Sequence, residues 1–354
     1  MNLNSLRMKI DQLDEELLRL LSDRGRVVQA IGAIKRKNGD SIFVPGREHN
    51  LLETLRRKNK GPFPPQALSD IFQEIMNACR NLEKKLRVAY FGPEATFTHQ
   101  AAIKKFGRNA RYEAGRTIAD VFADVEKGRA DYGVVPIENS TEGVVNHTLD
   151  MFVESELSIC AELEMPIAHY LLSKMKDAGN IRIIFSFPQP FAQCRRWVDA
   201  RLPGAEVREA SSTADAARLA SRTKHSAAIA SKLAADLYGL NIVASRIEDA
   251  SANFTRFLII GRSEPQATGR DKTSIMFSVK DRVGALYDML VPFKKYHLNL
   301  TKIESRPTRQ RPWEYVFFVD FAGHRSEPRV KRALEQLEKS CVFLKILGSY
   351  PRTE

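Results

Sequence analysis

Positions Ile10, Leu13, Leu17, Leu20, Arg24, Val27, Ile31 and Ile34 recur in alternating steps of three and four, which places them along one face of a single long helix. All but Arg24 are apolar. A guanidinium on a buried seam costs several kcal/mol unless an anion meets it. That anion is either a carboxylate of the chain, in a polar contact that fixes helix register, or a bound ligand. Lys35 lies about three turns further on at roughly 3.6 residues per turn, so it projects from nearly the same face. Two cations on one inward face repel unless they share a multiply charged anion.

A chain of 354 residues exceeds one ordinary core, and roughly two or three domains are expected. The net charge of +12 suits a polyanionic substrate as well as nucleic acid or an acidic membrane. Lys and Arg are scattered, however, with no aromatic residues interleaved as on a stacking surface, so no nucleic-acid partner is expected. Cys79, Cys160, Cys194 and Cys341 stand far apart with no CxxC spacing, which predicts reduced thiols, a cytoplasmic location and no structural zinc. Arg7, Lys9 and Asp11 exclude a signal peptide, and no apolar run reaches the length of a bilayer span. His99, His147 and His169 have no partner at metal-ligand spacing and are expected to be structural or surface residues, with no metal.

Three periodicities divide the chain. Residues 1–86 read as helix: one from about Asn4 to Lys37, a break over Ser41 to Gly46, a second from Arg47 to Lys58, and a third carrying Leu68, Phe72, Ile75, Cys79, Leu82 and Leu86. Helices of such unequal length make a poor monomeric bundle, so a dimer built on two long helices is expected. From Arg87 to about Arg262, short apolar runs at 87–91, 132–137, 181–185, 227–230 and 254–260 alternate with helical stretches, which implies an α/β domain with ligands at strand ends. Residues 263–270 read as a linker, and 271–354 follow the order β-α-β-β-α-β, an α+β ferredoxin-like pattern.

The first segment, with Leu6-Arg7-Met8-Lys9-Ile10, Leu13-Asp14, Arg24, Lys35 and Arg47-Glu48, resembles the all-α chorismate mutases, which form intertwined helical dimers. The resemblance supplies a dicarboxylate, chorismate, as the missing anion. It implies an intramolecular Claisen rearrangement to prephenate, catalysed by positioning and electrostatic preorganisation. By it, Arg24 and Arg47 bind carboxylates, Lys35 donates to the ether oxygen, Glu48 orients the substrate hydroxyl and Cys79 lines the pocket. Arg7 points about a quarter turn from Arg24 and suits the site of a partner chain. Val44 stands where an aspartate can occur. Glu83 replaces a common glutamine donor, so mutase activity is expected to fall as pH rises.

Residues Gly92-Pro93-Glu94-Ala95-Thr96-Phe97, Val134 to Gly143, Ser186 to Cys194, Ser211-Ser212-Thr213 and Asn253-Phe254-Thr255-Arg256-Phe257 together resemble the prephenate dehydratases. The implied fold is two-lobed, like periplasmic binding proteins, closing on prephenate. Water and carbon dioxide then leave to give phenylpyruvate, with no cofactor. By the resemblance, Thr255 lies nearest the leaving hydroxyl. Glu138, Asn139, Ser140, Ser186, Gln193 and Thr213 surround it, and Arg256 supports a carboxylate or the fold. A helix is expected to begin near Gly143. Phe187 stands where histidine is frequent. Ala95 replaces a frequent glycine, which only stiffens the turn if the backbone there does not need positive φ.

Asp281 to Leu286, with Gly284-Ala285-Leu286, and Glu304-Ser305-Arg306-Pro307 resemble the ACT regulatory domain of phenylalanine-inhibited dehydratases. The implied effector is phenylalanine, bound between two ACT domains of a homodimer. The expectation is therefore an enzyme of phenylalanine biosynthesis that carries both activities. An arogenate-preferring dehydratase, or an amino-acid-sensing binding protein whose catalytic segments have decayed, are the alternatives.

Overall fold

The computed structural model describes residues 2–250, 252–280, 282–307 and 315–353. Asp281, given above to the ligand turn of the last segment, lies outside them, as do residues 308–314 and Glu354. The chain forms two compact units, residues 1–86 with 106–111, and residues 87–105 with 112–354.

The first unit is built on α1 (Leu3–Asn38), α2 (Pro45–Lys58) and α3 (Pro65–Glu83). The Asn2 side chain caps α1 at one end, and Gly39 closes it in the left-handed region with φ 74°. Prolines open the other two helices, so α2 begins before the expected Arg47. Most of the long stripe of α1, including Leu13, Leu17 and Leu20, lies exposed in the single chain. The face of α1 buried within the unit is instead Gly25, Val28 and Gly32. A Cβ at Gly32 would sit 3.0 Å from the Glu83 Cα, so the glycine is what lets α3 approach. On α3 the buried face is Ser69, Met76, Asn77, Cys79 and Arg80. Leu82 of the expected stripe is exposed, and the helix stops at Glu83, short of Leu86. Both helices thus carry more apolar surface than their own neighbours cover.

The second unit begins with β1 (Arg87–Phe91), α4 (Phe97–Phe106), β2 (Arg111–Gly115), α5 (Ile118–Glu126), β3 (Tyr132–Asn139), β4 (Gly143–Val144), α6 (Asn146–Glu154) and β5 (Ser158–Pro166). A second group follows: β6 (Tyr170–Ser173), β7 (Ile183–Ser186), α7 (Pro188–Gln193), α8 (Arg195–Arg201), β8 (Glu206–Glu209), α9 (Thr213–Ala220), β9 (Ser226–Ala230), α10 (Lys232–Tyr238) and β10 (Asn241–Ser245). β11 (Phe254–Gly261) then returns to the first sheet, whose order is β2-β1-β3-β11-β5, with β4 on β3. The second sheet runs β10-β6-β9-β7-β8. Both are mixed, because β11 lies antiparallel to β3 and β5, and β6 antiparallel to β9 and β10. The two crossings between the sheets lie side by side: Ile167 N donates to Asn253 O (2.8 Å) and Ile247 N to His169 O (3.0 Å).

The last segment comprises β12 (Asp271–Ser278), α11 (Ala285–Lys295), β13 (Leu300–Pro307), β14 (Tyr315–Ala322), α12 (Pro328–Glu338) and β15 (Phe343–Pro351). Its sheet order β13-β14-β12-β15 is the ferredoxin-like arrangement that the sequence predicts. This sheet is not packed as an independent body. Met276, Val316, Phe318, Leu347 and Tyr350 join Val135, Ile159 and Leu258 of the first sheet in one hydrophobic core. The connecting stretch is tied down as well, by Cys160 Sγ on Ser263 O (3.1 Å) and by the Glu264–Arg325 pair (2.6 Å).

Two local expectations need correction. The helix expected near Gly143 begins three residues later, and Gly143 itself is in a strand. That residue has φ +81° and pairs with Asn139 in β4, so the polar turn closes a hairpin, and α6 starts at Asn146. Ala95 does sit at positive φ, 68°, and is fully buried. Its N–H donates to His99 Nδ1 (3.1 Å) and its carbonyl accepts from Ser231 Oγ (3.0 Å), which holds an alanine in backbone territory that favours glycine.

Candidate active sites

In the helical unit, Arg24, Lys35, Val44, Arg47, Glu48, Cys79 and Glu83 line one cavity, together with Arg80, which sequence reasoning did not select. The four cations come from three helices, Arg24 and Lys35 from α1, Arg47 from the first turn of α2 and Arg80 from α3. Arg24 Nη1 is buried and has no hydrogen-bond partner, and neither does Glu48 Oε2. An orphaned donor and an orphaned acceptor across one cavity are the pattern of a site shaped for a polar, anionic ligand. Lys35 Nζ donates to Glu83 Oε2 (3.0 Å) and to Ile42 O (3.3 Å). The Glu83 side chain is only 11% exposed. Arg7 is exposed on α1, about 25 Å along the helix axis from Arg24, out of reach of this cavity within one chain.

In the second unit, β3 and β11 lie in register with Thr255 opposite Asn139. Asn139 Nδ2 donates to Thr255 Oγ1 (2.8 Å), Asn253 Oδ1 (2.7 Å) and Phe254 O (3.2 Å). Its Oδ1 accepts from the N–H groups of Thr141 and Glu142, which fixes the amide orientation. Ser140 completes the hairpin, with its hydroxyl donating to Ala252 O and accepting from Phe254 N. Gln193, at the end of α7, accepts at Oε1 from Asn253 Nδ2 (3.1 Å), lies 2.9 Å from His169 Nε2, and donates from Nε2 to Glu142 Oε1 (3.1 Å). Thr255, Asn139, Asn253, Gln193 and His169 thus form one continuous network spanning both sheets.

Asn253 and His169 are members that sequence reasoning left out of the site. His169 looked isolated because its partner comes from a distant helix. Burial lowers its pKa, outweighing the raising influence of Gln193 and Glu248. His99 is likewise buried, with its pKa lowered to about 4, and stacks on Tyr90, whereas His147 is exposed. Ser186 and Thr213 are buried at strand and helix ends of the second sheet. The Ser186 hydroxyl donates to Phe187 O, and Ser212 caps the helix that Thr213 opens.

Glu138 and Arg256 belong elsewhere. Side chains alternate along a strand, so each points opposite to its neighbour in the Asn139–Thr255 pair. Arg256 meets Glu162 (2.8 Å), Asp320 (2.7 Å) and Tyr350 Oη (3.1 Å). Burial opposes its charge, but Tyr350, Asp320 and Glu162 outweigh that and raise its pKa. Glu138 accepts from Lys302 (2.7 Å). The expectation that these two residues line the substrate pocket is therefore replaced by a role in joining the first sheet to the last sheet; for Arg256, support of the fold is the half that stands.

In the last segment, Gly284 caps α11 at φ +77° with open space where a Cβ would stand, followed by buried Ala285 and partly exposed Leu286. Glu304, Ser305, Arg306 and Pro307 end the edge strand β13, where Arg306 pairs with Asp150 of α6 (2.9 Å). Among the described residues no His/Cys/Asp/Glu group suits a metal ion, and no helix is long and apolar enough to cross a membrane.

Comparison with known proteins finds three family matches along the chain. The chorismate mutase type II family matches residues 6–84, the prephenate dehydratase family residues 88–265, and the ACT domain family residues 273–339. A bifunctional chorismate mutase/prephenate dehydratase of Aquifex aeolicus is 51% identical over 99% of this chain and 98% of its own length. One from Pseudomonas aeruginosa is 46% identical with the same coverage. Among solved structures, a prephenate dehydratase from Arthrobacter aurescens in complex with L-Phe matches with a TM-score of 0.70 and 36% identity, over 75% of this chain and 90% of that one. With three modules in this order and whole-length identity at this level, the chain belongs to the bifunctional chorismate mutase/prephenate dehydratase family.

Proposed function

We propose that the cavity among α1, α2 and α3 converts chorismate to prephenate, and that the Asn139–Thr255 face of the second unit converts prephenate to phenylpyruvate. The observation that carries the first assignment is the buried, unpartnered Arg24 guanidinium nitrogen beside Lys35 and Arg47. A dicarboxylate supplies the charge and the acceptors this cluster lacks. The rearrangement needs no covalent step, so held geometry and a donor at the breaking ether oxygen are sufficient. Lys35 takes the donor role. Glu83 can add a second donor only when protonated, and Glu48 receives the substrate hydroxyl.

Dehydration needs a proton for the departing hydroxyl and contacts for the carboxylates. Thr255 is the hydroxyl at the centre of the polar network, with Asn139 and Gln193 beside it, and Ser186 and Thr213 contribute from the second sheet as the two lobes close about their paired crossings. Residues 1–86, 87–262 and 271–354 act as mutase, dehydratase and regulatory domains. Because the Arthrobacter relative was solved with L-Phe, we assign phenylalanine as the effector of the last segment, bound at Gly284–Leu286 and Glu304–Pro307 between two copies of the chain. The exposed stripe of α1 supports a homodimer whose partner supplies Arg7. Four free cysteines fit a reducing, cytoplasmic setting.

A coupled assay from chorismate to phenylpyruvate, run with and without phenylalanine, tests the reading. Phenylpyruvate should form without added cofactor, and saturating phenylalanine should suppress the second step. An unchanged dehydratase rate would remove the regulatory assignment, and no consumption of chorismate would remove the mutase.

A further inference from the structure

We propose that Arg80 is a positioning residue for the mutase reaction: it holds one oxygen of Glu48 so that the other stays aimed into the cavity for the substrate hydroxyl. Arg80 lies on α3 with its side chain 3% exposed, and its Nη2 donates to Glu48 Oε1 across to α2. Its guanidinium carbon lies 4.8 Å from the centre of the Phe43 ring and 5.7 Å from that of Phe106, both of the same unit, and these rings set the plane of the donor fork. Glu48 Oε2 is buried without a partner. One carboxylate oxygen is therefore taken by Arg80, while the other has no hydrogen-bond partner within the protein.

The need for such a clamp follows from the charges around it. Glu48 shares its cavity with Arg24, Lys35 and Arg47, any of which would attract a loose carboxylate. A Glu48 free to swing onto them would neutralise the cations that the substrate carboxylates require. Arg80 holds it back, and a planar, two-pronged donor does this where the single point charge of lysine does not. A buried ion pair that only supports the helix packing would look the same in distance and burial. The two roles differ in what Arg80 does once Glu48 can no longer act.

The inference rests on the mutase assignment of this cavity, which Arg24→Ala tests separately. In the full-length protein, Arg80→Met, Glu48→Gln and the double variant are compared by mutase kcat/KM on chorismate, with helical content by circular dichroism and proteolytic resistance of residues 1–86 as the control for folding. Arg80→Met should lower mutase kcat/KM by about 30-fold in the parent but by less than about threefold when Glu48→Gln is already present. A chorismate analogue lacking the ring hydroxyl should show no more than about a threefold difference between parent and Arg80→Met. The same loss in both backgrounds and on both substrates would make Arg80 a structural residue and overturn the proposal, as would no loss at all. Where Arg80→Met impairs folding, Arg80→Lys carries the same comparison, with a smaller loss that must again vanish in the Glu48→Gln background.

Discussion

Single side chains decide most of the chemistry here, and Glu83 is the most exposed to test. It pairs with Lys35 in the cavity, and the proposed reading asks for a donor toward the ether oxygen at this place. A carboxylate only accepts, whereas the amide of glutamine also donates, so Glu83→Gln should keep or raise mutase kcat/KM and Glu83→Ala should lower it at least tenfold. The check is kcat/KM on chorismate for both variants; equal activity of the two would remove Glu83 from that role. Ala95 offers a test of stability. Its φ of 68° costs an alanine about 1 kcal/mol relative to glycine, so Ala95→Gly should raise the unfolding free energy by about that amount in denaturant titration. Arg24 and Lys35 were legible in the sequence because charge inside an apolar repeat is anomalous. Arg80 was not, because an arginine on a helix is ordinary until its burial is known. Glu138 and Arg256 were misplaced because a motif does not say which alternate residue of a strand faces which side.

The helices and strands were read well where a single period dominates. α1 was expected over 4–37 and runs over 3–38, and the last segment has all its expected elements in order. What the period could not say is what covers each face. The stripe Ile10, Leu13, Leu17 and Leu20 was read as a buried seam, yet within one chain α1 buries Gly25, Val28 and Gly32, and Leu13 and Leu17 remain more than half exposed. So long an apolar face on an isolated helix is unstable in water unless something packs on it. If that is a second copy, Leu13→Glu with Leu17→Glu should shift the protein from dimer toward monomer in sedimentation velocity and lower mutase activity at least tenfold, since Arg7 reaches the site only from the partner. A dimer retained with full activity would place the interface elsewhere. Strands β2, β8 and β10 were not among the expected runs because short, exposed strands lack an apolar run, and β5 and β6 were also not among them, although both are largely buried.

Two chemistries sit in one chain on separate bodies, and regulation is packed against the second of them. The sequence suggests three modules joined by a linker, but the last sheet shares its core with the dehydratase sheet and is pinned by Arg256, Lys272 and Lys302. Such long-range packing leaves no mark in local periodicity, so a boundary drawn from composition overstates the independence of the last segment. The shared core offers a route by which an effector at β13 can bias the strand that carries Thr255, provided it binds one arrangement more tightly than another. The division of labour itself is tested most directly by following both products in two variants. With chorismate supplied, Thr255→Val should accumulate prephenate and form no phenylpyruvate. Arg24→Ala should leave chorismate unconverted while still turning supplied prephenate into phenylpyruvate. Phenylpyruvate formed by Thr255→Val, or both activities lost in Arg24→Ala while it remains folded, would contradict the assignment of one reaction to each unit.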